Sequence, residues 1–343
     1  MPVFFRVEIN KDVGTGHFFR CLIIAQELKR LGMNSVFLFG EELKTIIKIL
    51  QNENLKFFVF SNKSNEEEEL IKHLKSKKSS KNYLVADCDI PLYYNLEFQK
   101  KLKYLNVDFA LITFIGIKKF EGKLIHNQNI RALDLEYSKS KKYKLLLGPK
   151  YCILRDEFIV KSQIGVEEFK NKKKNIIITF GGVDKPNRTY FTVKALIKLS
   201  HYFEHLFIVL GINYENETEL VEFLNTSGLS YSILRNITNI SDYMAQSFIS
   251  INSGGLTCWE NGILNTLNIV LGYSFREEES GLALERHKMG YYIGNVNQIG
   301  YQEFTNRLKS VFNKEKEMEK RVKCLKNEIG DEGVVRFVDE LLN

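Results

Sequence analysis

The chain has 343 residues, 44% of them hydrophobic, and a formal net charge of +7. That length allows two domains of ordinary size. No run reaches the roughly 20 apolar residues of a membrane span, and no basic segment followed by an apolar stretch marks a secretory signal. Its five cysteines (Cys21, Cys88, Cys152, Cys258, Cys324) are scattered without a CxxC pair, as expected for reduced thiols in a cytoplasm and not for a disulfide framework or a zinc site.

In chain order, Val3–Ile9 reads as a strand. It leads into Gly14-Thr15-Gly16-His17, after which Phe18, Cys21, Leu22, Ala25 and Leu28 share one helical face closed by Gly32. Gly14 and Gly16 therefore fall in a strand-to-helix turn, where they let a ligand approach the backbone. The new helix offers free N–H groups and a positive dipole end to an anion. His17 stands in its first turn, followed by Arg20.

The pattern continues with strand Ser35–Phe39, a helix near Glu42–Gln51, strand Leu55–Phe60 and a helix across Glu66–Ser76 with an acidic start. Strand Tyr83–Asp87 ends in Asp87-Cys88-Asp89, a helix lies around Tyr94–Tyr104, and Asp108–Ile112 is an apolar strand. Such alternation implies a parallel sheet covered by helices on both faces. Ligands of these sheets gather outside the carboxyl ends of the strands, where Gly14–His17 and Asp87–Asp89 both fall. One aspartate of Asp87-Cys88-Asp89 is expected to cap the next helix and the other to line the cleft. Neither a metal nor a cofactor is expected. His126, with Asn127 and Asn129, is a further candidate for the cleft, against the alternative of a loop histidine.

Residues Lys139 to Lys174 join two halves, and the pattern then restarts. The lysine clusters Lys75–Lys81, Lys139–Lys144 and Lys170–Lys174 lack interleaved aromatics, so they indicate no nucleic-acid partner. Strand Asn175–Phe180 enters the turn Gly181-Gly182-Val183-Asp184, with a helix from about Arg188. Strands Leu206–Leu210, Tyr231–Leu234 and Phe248–Ile251 follow. The last runs into Ser253-Gly254-Gly255-Leu256-Thr257, a second glycine turn opening a helix, where hydroxyls stand beside free N–H groups and suit a diphosphate. Glu260 comes one turn later and is placed to accept hydrogen bonds from a ribose diol. Strand Asn268–Leu271, a helix across Glu278–Lys288, strand Tyr291–Ile293 and helices from Tyr301 close the chain. The expected architecture is α/β: two Rossmann-type domains, residues 1–160 and 161–343, facing across a cleft, with the last helices packing back on the first.

These pieces, taken together, resemble the nucleotide-sugar hydrolases of pseudaminic acid biosynthesis and the related spore-coat polysaccharide biosynthesis proteins. The resemblance rests on Arg6 ahead of Gly14-x-Gly16-His17-x-x-Arg20-Cys21-Leu22; on Gly148-Pro149-x-Tyr151-x-x-Leu154-Arg155-x-Glu157-Phe158; on Gly181-Gly182-x-Asp184; on Ser253-Gly254-Gly255-x-Thr257-x-x-Glu260; and on Asp331-x-Gly333-x-x-Arg336. It implies a GT-B-like fold and cytoplasmic, metal-independent hydrolysis of UDP-2,4-diacetamido-2,4,6-trideoxy-β-L-altropyranose, with His17 as the base for the attacking water. The nucleotide-sugar site expected in this chain includes Gly14, Gly16, Arg20, Asp87, Gly181, Gly182, Asp184, Ser253, Gly254, Gly255, Thr257, Glu260 and Glu278, with a UDP-sugar as substrate and pathway enzymes as the other partners. The chain departs from the family at Glu8, at Cys88-Asp89, at Thr113-Phe114 and at Glu278-Glu279, where an Asn-Gln pair is usual. These departures cluster in the expected sugar pocket and point to a different sugar. Two other readings stay open: a GT-B glycosyltransferase with the same donor, and a non-catalytic nucleotide-sugar-binding homologue.

Overall fold

The computed structural model describes residues 2–9, 16–62, 65–76, 81–138, 140–182, 184–211, 213–235 and 237–343. The chain packs into two compact units, one formed by Met1–Ile153 with Gly330–Asn343 and the other by Leu154–Ile329.

The first unit is built on seven parallel strands: β1 (Pro2–Val7), β2 (Asn34–Phe39), β3 (Lys56–Val59), β4 (Asn82–Asp87), β5 (Val107–Ile112), β6 (Leu124–Asn127) and β7 (Lys144–Leu147), in the order β3-β2-β1-β4-β5-β6-β7. The central strands are near-continuous apolar runs because helices cover both faces of the sheet. Val3, Phe5 and Val7 of β1 enter one core with the helices Gly16–Arg30 and Gly333–Leu342, while Phe4 enters the core on the opposite face. Arg6 shares that second face. It is 2% exposed and is neutralised by Glu66, which receives Nε at 2.7 Å and Nη2 at 2.9 Å. The Tyr93 hydroxyl donates to the same carboxylate. The arginine that precedes the glycine turn is thus part of the interior.

The second unit has six parallel strands: β8 (Asn175–Thr179), β9 (His205–Leu210), β10 (Tyr231–Arg235), β11 (Ser247–Asn252), β12 (Leu267–Gly272) and β13 (Tyr291–Asn295), in the order β10-β9-β8-β11-β12-β13. Each order reverses once, beside β1 and β4 in the first sheet and beside β8 and β11 in the second. Those two places are the topological switch points, where open α/β sheets bind ligands.

Strands β6 and β7 are absent from the expected pattern. Both have four residues, and β6 carries His126 and Asn127 in place of apolar residues. His126 is neither a cleft residue nor a loop histidine: it is fully buried in β6, and its Nε2–H donates to the Tyr151 carbonyl at 2.8 Å. The helix expected around Tyr94–Tyr104 is two helices, Pro91–Tyr94 and Leu96–Tyr104, because Asn95 takes an extended conformation and caps the second. The closing Asp331-x-Gly333 motif has a packing role. A Cβ on Gly333 would collide with the Cys152 carbonyl oxygen, so glycine lets the helix Gly333–Leu342 dock against the first unit. Arg336 pairs with Glu332 at the surface. Among the described residues no helix is long and apolar enough to cross a membrane.

The buried His126 predicts a pH dependence. Burial pushes its imidazole down to about 4 from 6.5, against the hydrogen bond to Tyr151, which favours the charged form. Between those values the folded chain binds fewer protons than the unfolded chain. Stability is therefore full above about pH 6.5 and falls as pH drops towards 4, by at most about 3 kcal/mol. Unfolding of His126→Gln, which keeps a donor for Tyr151 but does not titrate, is expected to lose less stability than wild type between pH 6.5 and 4.5. Equal losses would refute the assignment.

Candidate functional site

In the first unit two chain segments meet at the switch point. Strand β4 ends in Asp87, whose side chain has no solvent exposure. The helix Gly16–Arg30 starts beside it and contributes one residue from each of its first two turns. Arg20 grips the carboxylate in a bidentate fork, Nε to Oδ2 at 2.7 Å and Nη2 to Oδ1 at 2.7 Å. His17 Nδ1 lies 2.6 Å from Oδ1. Burial pushes the Asp87 carboxyl up, but the Arg20 guanidinium and His17 together outweigh it and hold the group well below the usual carboxylate range. An ionised carboxylate only accepts, so the His17 proton resides on Nδ1 and the neutral ring keeps its lone pair on Nε2. Asp87 thus fixes the orientation of the His17 ring.

Asp87 neither caps the next helix nor stands ready for a cation, since both of its oxygens are engaged. The helix Pro91–Tyr94 has Ile90 at its N-cap, which offers no side-chain cap. The Asp89 N–H donates to Glu8 Oε2 at 2.8 Å, and the Glu8 N–H donates to the Asp87 carbonyl, which ties the end of β1 to the end of β4. Among the described residues no group of three or more His, Cys, Asp or Glu is arranged to hold a metal ion. Cys21 is buried, and burial together with Asp87 raises its thiol, so it packs as a small apolar residue. Gly14 lies outside the described residues, while Gly16 is the first residue of the helix.

In the second unit Gly181 and Gly182 follow β8, and Ser253, Gly254 and Gly255 follow β11, at the other switch point. Gly254 has φ +82°, and a Cβ there would stand 3.0 Å from Val270 Cγ1 and 3.2 Å from the Glu277 carbonyl oxygen; glycine meets both demands. The helix Thr257–Ile263 that follows has no side-chain cap at its start, and the N–H groups of Cys258 and Trp259 donate to the Gly255 and Leu256 carbonyls. Glu260 is buried, and Arg155 Nε and Nη2 both reach its Oε1, at 3.0 and 2.9 Å. Burial raises its carboxyl while Arg155 opposes the rise. Arg155 also pairs with Glu157 at 2.7 Å.

Two expected ligand residues have structural duties here. Asp184 accepts the N–H groups of Arg188 and Thr189 at 3.0 and 2.8 Å, and so caps the helix Arg188–Ile197 beside the Gly181-Gly182 turn. Glu278 Oε2 accepts from Asn295 Nδ2, while its neighbour Glu277 completes a capping box with Ser274. Arg188, which sequence reasoning missed, is 2% exposed. It ties Asp184 to the start of the helix Phe275–Arg286, with Nη1 donating to Glu277 Oε2 at 3.0 Å and to the Leu271 carbonyl at 3.1 Å, and Nε facing Asp184. The signal was an arginine two residues beyond a proline, at a helix start where a cation is disfavoured unless carboxylates compensate it.

No protein-family model matches the chain. The uncharacterized protein MJ1062 of Methanocaldococcus jannaschii is 28% identical over 300 residues, which cover 82% of this chain. The match spans only 60% of that curated relative's length. Solved structures are similar over almost the whole chain. MurG of Acinetobacter baumannii superposes with a TM-score of 0.68 at 12% identity, covering 99% of each chain. The spinosyn rhamnosyltransferase SpnG complexed with thymidine diphosphate gives 0.66 at 12% identity, covering 99% of this chain and 100% of that one. LpCGTa in complex with UDP gives 0.66 at 9% identity, covering 100% and 99%. At such identities the likeness is one of fold. With a parallel sheet in each of its two Rossmann-like units, the chain has a fold of the GT-B type.

Proposed function

We propose that the chain transfers a sugar from a nucleoside diphosphate donor, with UDP as the nucleotide, to an acceptor hydroxyl. The observation that carries this reading is the His17–Asp87 pair, 2.6 Å apart, at a sheet switch point in a chain of GT-B fold. In the reaction the anomeric C–O bond breaks and its electron pair leaves with the diphosphate. The acceptor oxygen bonds to the anomeric carbon, and its proton passes to His17 Nε2. Arg20 holds Asp87, and Asp87 holds the ring. In the second unit the Ser253–Thr257 turn presents N–H groups and hydroxyls to the leaving diphosphate, with Gly181 and Gly182 beside it. Glu260 takes the ribose diol through Oε2, its Oε1 being held by Arg155.

A second reading has water as the acceptor, which makes the chain a UDP-sugar hydrolase of nonulosonic acid biosynthesis. Its support is the ordered set of motifs around His17, Arg155, Gly181 and Gly254. One experiment separates the two: phosphorus NMR of the purified chain with a panel of UDP-sugars, with and without candidate acceptors. Release of UDP only when an acceptor is present supports transfer, and release of UDP with free sugar in buffer alone supports hydrolysis. Tight UDP binding without release under any condition would overturn both and leave a binding protein.

A further inference from the structure

Beneath the Ser253–Gly255 turn the second sheet has a buried polar layer. Along β11 and β12, Ile249, Ile251, Leu267 and Ile269 face an apolar core. Their alternates Ser250, Asn252 and Asn268 face the other way, and all three have no solvent exposure. Asn261, from the helix after the turn, is equally buried. Apolar residues would fit a fully buried face at lower cost, since each amide must find partners to offset its desolvation.

The partners make one chain of bonds that ends at the turn. Asn268 Oδ1 accepts from Asn252 Nδ2 and from Asn261 Nδ2, both at 2.9 Å, and Asn268 Nδ2 donates to the Cys258 carbonyl at 2.9 Å. Asn252 then turns its Oδ1 outward to accept the Gly254 N–H at 2.9 Å, with the Cys258 thiol at 3.2 Å. The amide orientations are forced. Reversing Asn268 would set NH2 against two NH2 groups and oxygen against a carbonyl, and reversing Asn252 would leave Gly254 facing a donor. Among the described residues only Asn261 Oδ1 lacks a partner within this set.

From this we infer that Asn268 and Asn252 are positioning residues, which hold the Gly254 turn in its ligand-ready conformation before any ligand arrives. The inference rests on the proposed diphosphate role of that turn. Asn252 fixes the N–H of the positive-φ Gly254. Asn268, on the neighbouring strand and one bond further from the turn, fixes Asn252. A turn held in place loses less conformational freedom on binding, so its contribution is to the affinity for the phosphates and not for the nucleoside.

The test titrates wild type, Asn268→Leu and Asn252→Ala with UDP by calorimetry and with uridine by saturation-transfer NMR, alongside their thermal midpoints. Both variants are expected to bind UDP about tenfold to a hundredfold more weakly, with uridine binding unchanged. If Asn268→Leu does not fold, Asn252→Ala, which removes the acceptor of the Gly254 N–H, carries the measurement. Equal loss of UDP and uridine would mean a merely structural role, and unchanged UDP affinity in Asn268→Leu would mean no role at all; either overturns the inference while leaving the proposed function standing. A wild-type chain that binds no UDP would overturn the proposed function itself, and this inference with it.

Discussion

His17→Gln is expected to lower donor turnover by about 10²- to 10⁴-fold, the usual contribution of a general base, with KM for the donor little changed. The substitution removes the lone pair on Nε2 but leaves the Arg20–Asp87 fork, with its bonds of 2.7 Å, so the fold is expected to survive. Asp87→Asn is expected to lose turnover to a similar degree for another reason. An asparagine at 87 no longer imposes the Nδ1–H tautomer on His17, and it leaves the Arg20 guanidinium without its counter-charge. That variant should therefore also lose stability, which His17→Gln should not. Because the two residues act as one unit, the double variant should be little slower than either single one. Turnover of His17→Gln within threefold of wild type would remove His17 from the role of base, whatever the acceptor.

How far this site was legible in the sequence depends on how local each signal is. The strand–glycine–helix junctions at Gly16 and Gly254 are short-range patterns, and they led directly to both switch points. The role of Asp87 was not readable. An aspartate at a strand end looks the same whether it caps a helix, binds a ligand or orients a histidine 70 residues earlier. Only the parallel pairing of β1 with β4, with Val7 opposite Asp87, brings His17 to it. Arg6 entered the reading only as part of a motif ahead of the glycine turn, and its burial against Glu66 of the acidic helix start became visible only in the fold. Strands β6 and β7 escaped because four residues show no period, and β6 holds a histidine and an asparagine. The amides of Asn252 and Asn268 gave a faint signal, being polar residues at alternate positions in apolar strands. That pattern reads equally well as a solvent-facing sheet surface until the covering layer is known.

Glu66→Ala is expected to be the most destabilising single change in the first unit, by about 3–5 kcal/mol, the cost of leaving a buried charge without its partner. Arg6 lies on β1, between β2 and β4 in the middle of the sheet. Burial works against its charge, but the Glu66 carboxylate outweighs burial and holds the guanidinium pKa above its ordinary value; with Glu66 gone, Arg6 still keeps its proton, because the guanidinium is not deprotonated in proteins. Nη1 would keep its bond to the Val7 carbonyl at 2.6 Å, and the other donors would face Phe60, whose ring centre lies 5.5 Å away. The Tyr93 hydroxyl would lose its acceptor as well. The converse experiment separates a charge effect from a packing effect. Replacing the whole set, Arg6→Met with Glu66→Leu and Tyr93→Phe, removes every group that needs a partner, and such replacements are often neutral or stabilising. Urea unfolding followed by hydrogen exchange of the β1, β2 and β4 amides should show a large loss for Glu66→Ala and recovery of most of it in the triple variant. A triple variant as unstable as Glu66→Ala would mean that shape, and not charge, makes this cluster necessary. In that case the arginine before the glycine turn is retained for how it fills the sheet interior beneath β1.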